Sequence, residues 1–148
     1  MNYEAYKDLT IGDDFNFVEF ISVGKNGNIP KRITFEPTLI DNVYNLNFGD
    51  IDQYLEVDDY VISNNGDRNK LLATIFDVVY RYTKKYPGRW IFFKGSTKSR
   101  TRLYRMAIGL NLEELSRVFD IYAINQFSLT PFRKNMEVNS FLIKRKII

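Results

Sequence analysis

The sequence predicts an α+β fold: a twisted, mainly antiparallel sheet that begins as an N-terminal β-meander, with two principal helices and one short helix packed on it. Three observations lead there. The segment before Asn64 alternates aromatic and β-branched residues with polar ones and is broken by turn signals, as strands are. Two later stretches, Arg68 to Tyr86 and Lys98 to Leu110, repeat apolar residues at helical spacing. Twelve Phe and ten Tyr in 148 residues supply the bulky side chains that sheets bury. With no linker-like tract, residues 1–148 are expected to form a single globular domain.

In chain order, Met1 to Asp14 reads as a polar lead-in, either a short helix or an edge strand. Phe15 to Val23 reads as a strand, with Phe15, Phe17, Ile21 and Val23 on one face and Val18 and Phe20 on the other, so cover on both sides is expected. Asn26-Gly27 is a hairpin signal. The return strand is Ile29 to Glu36, with Ile33 and Phe35 inward, and Pro37 ends it. Val43 to Phe48 alternates again with Tyr44, Leu46 and Phe48 inward, and Gly49-Asp50 is read as a turn. Tyr60 to Ile62 is a further short strand. Asp67 is placed to cap a helix that carries Leu71, Leu72, Ile75, Val79, Tyr82 and Tyr86 inward and stops at Pro87-Gly88.

Arg89 to Lys94 reads as a strand with large side chains on both faces, so a central position with cover on both sides is expected. A second helix opens after Ser96 or Thr97, with Leu103, Met106, Ala107 and Leu110 as its core stripe, and Gly109 ends it. Asn111 to Glu114 resembles a capping box that starts a short third helix, with Leu112, Leu115 and Phe119 inward. Asp120 to Phe127 and Ser140 to Lys146 close the sheet, with Pro131 and Lys134-Asn135 in the loop between them.

Composition excludes several chemistries. The chain has no Cys and no His, so disulfides, Ser-His-Asp triads, Cys-His pairs and ordinary zinc sites are ruled out. No cofactor is expected. The N-terminus lacks a signal-peptide pattern and no apolar run is long enough to span a bilayer, so no membrane association and a cytoplasmic location are expected. The net charge of +3 conceals a sharp asymmetry. Four basic and thirteen acidic residues precede Arg68, against seventeen basic and five acidic from there on, giving −9 and +12. Such a split predicts an electropositive surface from the C-terminal half, or mutual attraction within the fold.

The stretch that concentrates this charge is Lys94-Gly-Ser-Thr-Lys-Ser-Arg-Thr-Arg-Leu-Tyr-Arg105. A strand, a small-residue turn and a helix start form the geometry that holds anions at helix N-termini. Around the helix, Lys98, Arg102 and Arg105 fall within about 60° of one another, with Arg100 beside the apolar stripe and Tyr104 between the two faces. Gly95 would admit an anion to the backbone amides, and Ser96, Thr97 and Ser99 add hydroxyls. The structural alternatives are helix capping for Ser96 and Thr97, an internal salt bridge for Arg100, a solvated face for Lys98, Arg102 and Arg105, and a core position for Tyr104. The order Lys-Gly-Ser-Thr is not that of a P-loop. Acidic residues from Asp50 to Asp59 suit Mg²⁺, but the Glu-x-Lys of a metal-dependent nuclease does not occur there, and a solvated edge is expected because charge runs are usually surface.

The run from Phe93 to Arg105, together with Phe141-Leu-Ile-Lys-Arg145, resembles a family of small uncharacterised proteins found mainly in Bacteroidetes, over nearly the whole chain. Its core is Gly-Ser-Thr-x-x-Arg-Thr-x-Leu-Tyr, here Gly95 to Tyr104. The resemblance implies a cytoplasmic bacterial protein without an assigned activity. Leu103-Tyr104 is also similar to the C-terminal part of acetyl-CoA-dependent N-acetyltransferases, but Thr97 stands where they carry Asn, and only Gly66 represents their pyrophosphate loop. Three functions follow as expectations. The first is contact with phosphates of RNA or DNA, as a toxin or defence component, with any RNA cleavage carried out without His. The second is docking of an acidic protein partner through the basic face. The third is an acyltransferase-like enzyme.

Overall fold

A computed structural model describes residues 3–51, 57–58 and 65–147 of the chain. The strands are β1 (Thr10–Ile11), β2 (Phe17–Gly24), β3 (Gly27–Pro37), β4 (Val43–Ile51), β5 (Val57–Asp58), β6 (Trp90–Phe93), β7 (Phe119–Asn125), β8 (Ser128–Pro131) and β9 (Ser140–Arg145). The helices are α1 (Arg68–Lys85), α2 (Lys98–Leu110) and α3 (Leu112–Leu115), and a 3-10 turn spans Asp13–Phe15. Hydrogen bonding follows the order β1-β2-β3-β4-β6-β9-β7-β8, with β5 on β4. β4 and β6 run parallel, and the other pairs with a described register run antiparallel. A parallel pair needs a crossover connection, and α1 lies in it. The fold is α+β, as expected. The strand expected at Tyr60 to Ile62, and Asp52, Glu56 and Asp59 of the acidic run, lie outside the described residues.

The chain forms two compact units, Met1–Glu36 with Leu46–Tyr82, and Pro37–Asn45 with Thr83–Ile148. In the first, Val18, Phe20 and Ser22 of β2 are buried opposite Ile33, Lys31 and Ile29 of β3. The other face of β2 is not covered, contrary to expectation: Ile21 is 45% and Val23 58% exposed. On that face Glu19 takes the Arg32 guanidinium in an ion pair at 2.5 Å, a cross-strand pairing suited to a solvated surface. The lead-in contributes the edge strand β1, paired to β2.

The hairpin turn is Lys25-Asn26, one residue earlier than the Asn-Gly signal suggests, and Gly27 already pairs with Gly24 at a φ of +90°. The side chain of Asn65 sets this register. Its Oδ1 accepts from the Asn26 amide at 2.7 Å, and its Nδ2 donates to the Gly27 carbonyl at 2.9 Å. A side chain at Gly24 would lie 1.9 Å from the Asn65 carbonyl oxygen.

α1 covers the expected range. The Asp67 carbonyl accepts the Leu71 amide at 2.9 Å, as an N-cap residue's does, while its carboxylate Oδ2 accepts from the hydroxyls of Tyr6 and Ser22. Asp67 thus ties the lead-in and β2 to the helix start. Leu72, Ile75, Val79 and Tyr82 are buried as expected, and Ala73, Thr74 and Val78 join them. The Tyr82 ring stacks on Phe35 with centroids 3.8 Å apart. β4 corrects a further expectation. Gly49-Asp50 is not a turn: the strand runs on to Ile51, and buried Asp50 accepts from the buried ammonium of Lys31. A buried charge requires a partner, and this pairing carries the strand past the polar residue.

In the second unit β6 is central, between β4 and β9. Ile91 and Phe93 share a buried face with Phe141 and Ile143 of β9 and Ala123 of β7. The segment after β7 is not all loop: Ser128–Pro131 forms β8, joined to β7 through Gln126-Phe127. Pro131 ends this edge strand, where a missing N–H costs little. α2 continues past Gly109 to Leu110. Asn111 makes no side-chain cap for α3; its Nδ2 donates back to the Ala107 carbonyl at 2.7 Å and closes α2 instead. Leu112 and Leu115 are half-buried and Phe119 is buried.

Candidate functional site

The turn from β6 into α2 is built on a glycine. A Cβ at Gly95 would lie 2.4 Å from the Thr101 nitrogen and 2.5 Å from Cβ of Arg100, so only glycine lets the chain pass this close to the first turn of the helix. The Gly95 amide donates to Thr101 Oγ1 at 3.0 Å, and that hydroxyl also donates to the Thr97 carbonyl at 3.2 Å. Gly95 therefore packs the turn onto the helix start, and its amide is already engaged.

Thr97 is the N-cap, with extended backbone and Oγ1 accepting from the Arg100 amide at 3.2 Å. Ser96 Oγ accepts from Nη1 of half-buried Arg100 at 2.7 Å. Lys94, Lys98, Ser99 and Arg102 are exposed. Arg105 is half-buried, with Nη1 donating to the Met136 carbonyl at 3.4 Å. Tyr104 is half-buried and meets Phe93 edge to face at 5.7 Å.

The side of α2 that faces the protein differs from the expected stripe. Thr101, Ala107 and Ile108 are buried, whereas Met106 is 49% and Leu110 75% exposed. At 100° per residue the buried side is turned by about 150° from the Leu103-Met106-Leu110 stripe. The bonds of Thr101 and the contact of Tyr104 with Phe93 set this phase. Consequently Met106 and Leu110 stand on the outward side, next to the row of Lys98, Arg102 and Arg105.

Two cations not chosen from the sequence join this region. The loop after Phe132 lies alongside α2, shown by the Arg105 to Met136 bond and by Lys134 Cγ at 3.5 Å from a Cβ placed on Gly109. Lys134 and its neighbour Arg133 are exposed. No local pattern announces that approach, because it joins segments far apart in the chain. α2 itself carries no acidic residue. Among the described residues, no group of three or more carboxylates is placed to hold a metal ion. No helix among them is long and apolar enough to cross a membrane.

Residues 2–146 match a family of unknown function (DUF6934). The chain belongs to that family. The match agrees with the resemblance to an uncharacterised family, and it takes in the whole Gly95 to Tyr104 core. No curated protein and no solved structure matches the chain.

Proposed function

We propose that the chain binds nucleic acid, with Lys94, Lys98, Arg102 and Arg105 contacting backbone phosphates from the turn and the basic flank of α2. The observation that carries this reading is that exposed Lys98 and Arg102 share one flank of α2, about 60° and 100° around the helix from buried Thr101, on a helix with no acidic residue of its own. Cations at a helix start oppose the macrodipole, and a bound polyanion offsets both their mutual repulsion and that opposition. Ser99 adds a hydroxyl donor beside them. Gly95, Ser96, Thr97 and Arg100 shape the turn that presents these groups, and Tyr104 anchors the helix beneath them.

Fluorescence anisotropy of labelled single-stranded RNA and DNA across a salt series tests this. The Arg102→Ala/Arg105→Ala variant should weaken binding and lower the log–log salt slope by about 1.4, or ~0.7 for each lost phosphate contact. Shortened RNA on a gel afterwards would add nuclease activity. Absence of binding at low salt, or an unchanged slope in the variant, rules the reading out. The exposure of Met106 and Leu110 beside the basic row favours a second reading, an acidic protein partner with an apolar patch. A stoichiometric acidic protein that co-purifies with the wild type and is lost on Leu110→Asp would support it.

A further inference from the structure

Strands β6, β9 and β7 carry large side chains on both faces. The bond between Arg145 and Thr83 of α1 and the contact between Phe93 and Tyr104 of α2 both belong to the Phe93 face. The strand registers place Phe92, Leu142 and Tyr122 abreast on the other face, with Trp90 beside Lys144. All five side chains are half-buried, so part of each remains accessible. The rings of Trp90 and Tyr122 lie 5.8 Å apart at a 49° tilt, and the Lys144 ammonium stands 5.2 Å from the Trp90 ring centroid. The acidic residue of this face, Asp120, lies 4.0 Å from Lys146.

We propose that this face is a stacking platform for the bases of single-stranded nucleic acid. Trp90, Phe92 and Tyr122 receive the bases and Lys144 meets the backbone phosphate. Aromatic rings on an open sheet face stack unpaired bases of any sequence, and an adjacent cation supplies the electrostatic half of the contact. Charge favours this occupant over a second copy of the chain, because face-to-face packing of two sheets would strip water from the Lys144 ammonium, whereas a polyanion complements it. The platform shares only its class of ligand with the proposed function. It lies across the sheet from α2, and either surface can bind without the other.

The chain has a single Trp, so its emission reports on this face alone. The probes are unlabelled oligo(U) and oligo(dT) of about ten nucleotides, with inorganic polyphosphate as an anion that has no bases. The oligonucleotides should quench Trp90 saturably and polyphosphate should not. Tyr122→Ala should weaken the quenching transition roughly tenfold, and Arg102→Ala/Arg105→Ala should leave its amplitude intact. If the Ala variant does not fold, Tyr122→Leu keeps the apolar volume and removes the stacking ring. Oligonucleotides that bind by anisotropy yet leave Trp90 emission unchanged overturn the platform and leave the helix reading standing. Equal quenching by polyphosphate overturns it too, as does a blue shift that depends on protein concentration alone and accompanies a doubling of mass. Quenching that survives in the helix variant with an unchanged salt slope keeps the platform and removes the helix reading. No binding by either readout removes both.

Discussion

The amide of Gly95 donates to Oγ1 of Thr101 at 3.0 Å, and this bond decides which side of α2 turns to the protein. Thr101 is drawn inward and buried, Ile108 follows two turns later at 1% exposure, and Leu110 is left 75% exposed. The same phase directs Lys98 and Arg102 to solvent.

A stability series across α2 reads that phase directly. Ile108→Ala should cost about 2–5 kcal/mol, as expected for a fully buried aliphatic residue, and Leu110→Ala should stay within about 0.5 kcal/mol of wild type. Thr101→Val leaves the Gly95 amide unpaired and should cost roughly 1–3 kcal/mol. Urea denaturation of the three variants measures all of these. Equal costs at Ile108 and Leu110 would contradict the helix orientation.

The Lys31–Asp50 pair leads to a different expectation. Both side chains are nearly inaccessible, at 4% and 12% exposure, and the Lys31 ammonium also lies 5.8 Å from the Phe48 ring centroid. Lys31→Met strands a buried carboxylate and should cost about 3–5 kcal/mol. Adding Asp50→Leu removes that stranded charge, so the double variant should be more stable than Lys31→Met alone. Chemical denaturation of the singles and the double completes the cycle, and a double variant no better than the single would show that the pair is not what stabilises the site.

Tyr6 gives a prediction in pH. Burial, and next the hydrogen bond to Asp67, raise its hydroxyl above the ordinary tyrosine value of 10.0. The folded state therefore holds this proton more tightly than the unfolded chain. Its contribution is complete below the unfolded pKa and is lost as pH rises through the folded one. Stability should fall above pH ~10, and the fall should be shallower in Tyr6→Phe. At neutral pH that variant should cost about 1–3 kcal/mol, because Asp67 Oδ2 loses a donor while Oδ1 is already buried without one. Melting curves from neutral pH to pH ~11 compare the two proteins, and parallel curves would dismiss the Tyr6 contribution.

Short-range signals carried much of this molecule. The stop at Pro87-Gly88, the apolar run Trp90 to Phe93, the cap at Thr97 and the alternation along β2 and β3 each express a backbone preference within a few residues, and each predicted its element. The α+β class follows from them. Three features required the tertiary structure. α2 carries apolar residues over more than half its circumference, among them Leu103, Tyr104, Met106, Ala107, Ile108 and Leu110, so periodicity alone allows several phases and the Gly95–Thr101 bond selects one. Asp50 reads as a turn residue because a lone charge belongs in water, and only its meeting with Lys31 across the sheet makes burial tolerable. The strand at Trp90 was legible, but cover on both sides was expected, and only Ile91 and Phe93 are buried while Trp90 and Phe92 keep part of their surface exposed. Which side the helices leave uncovered depends on where the crossover and α2 pack, a long-range outcome that no local pattern encodes.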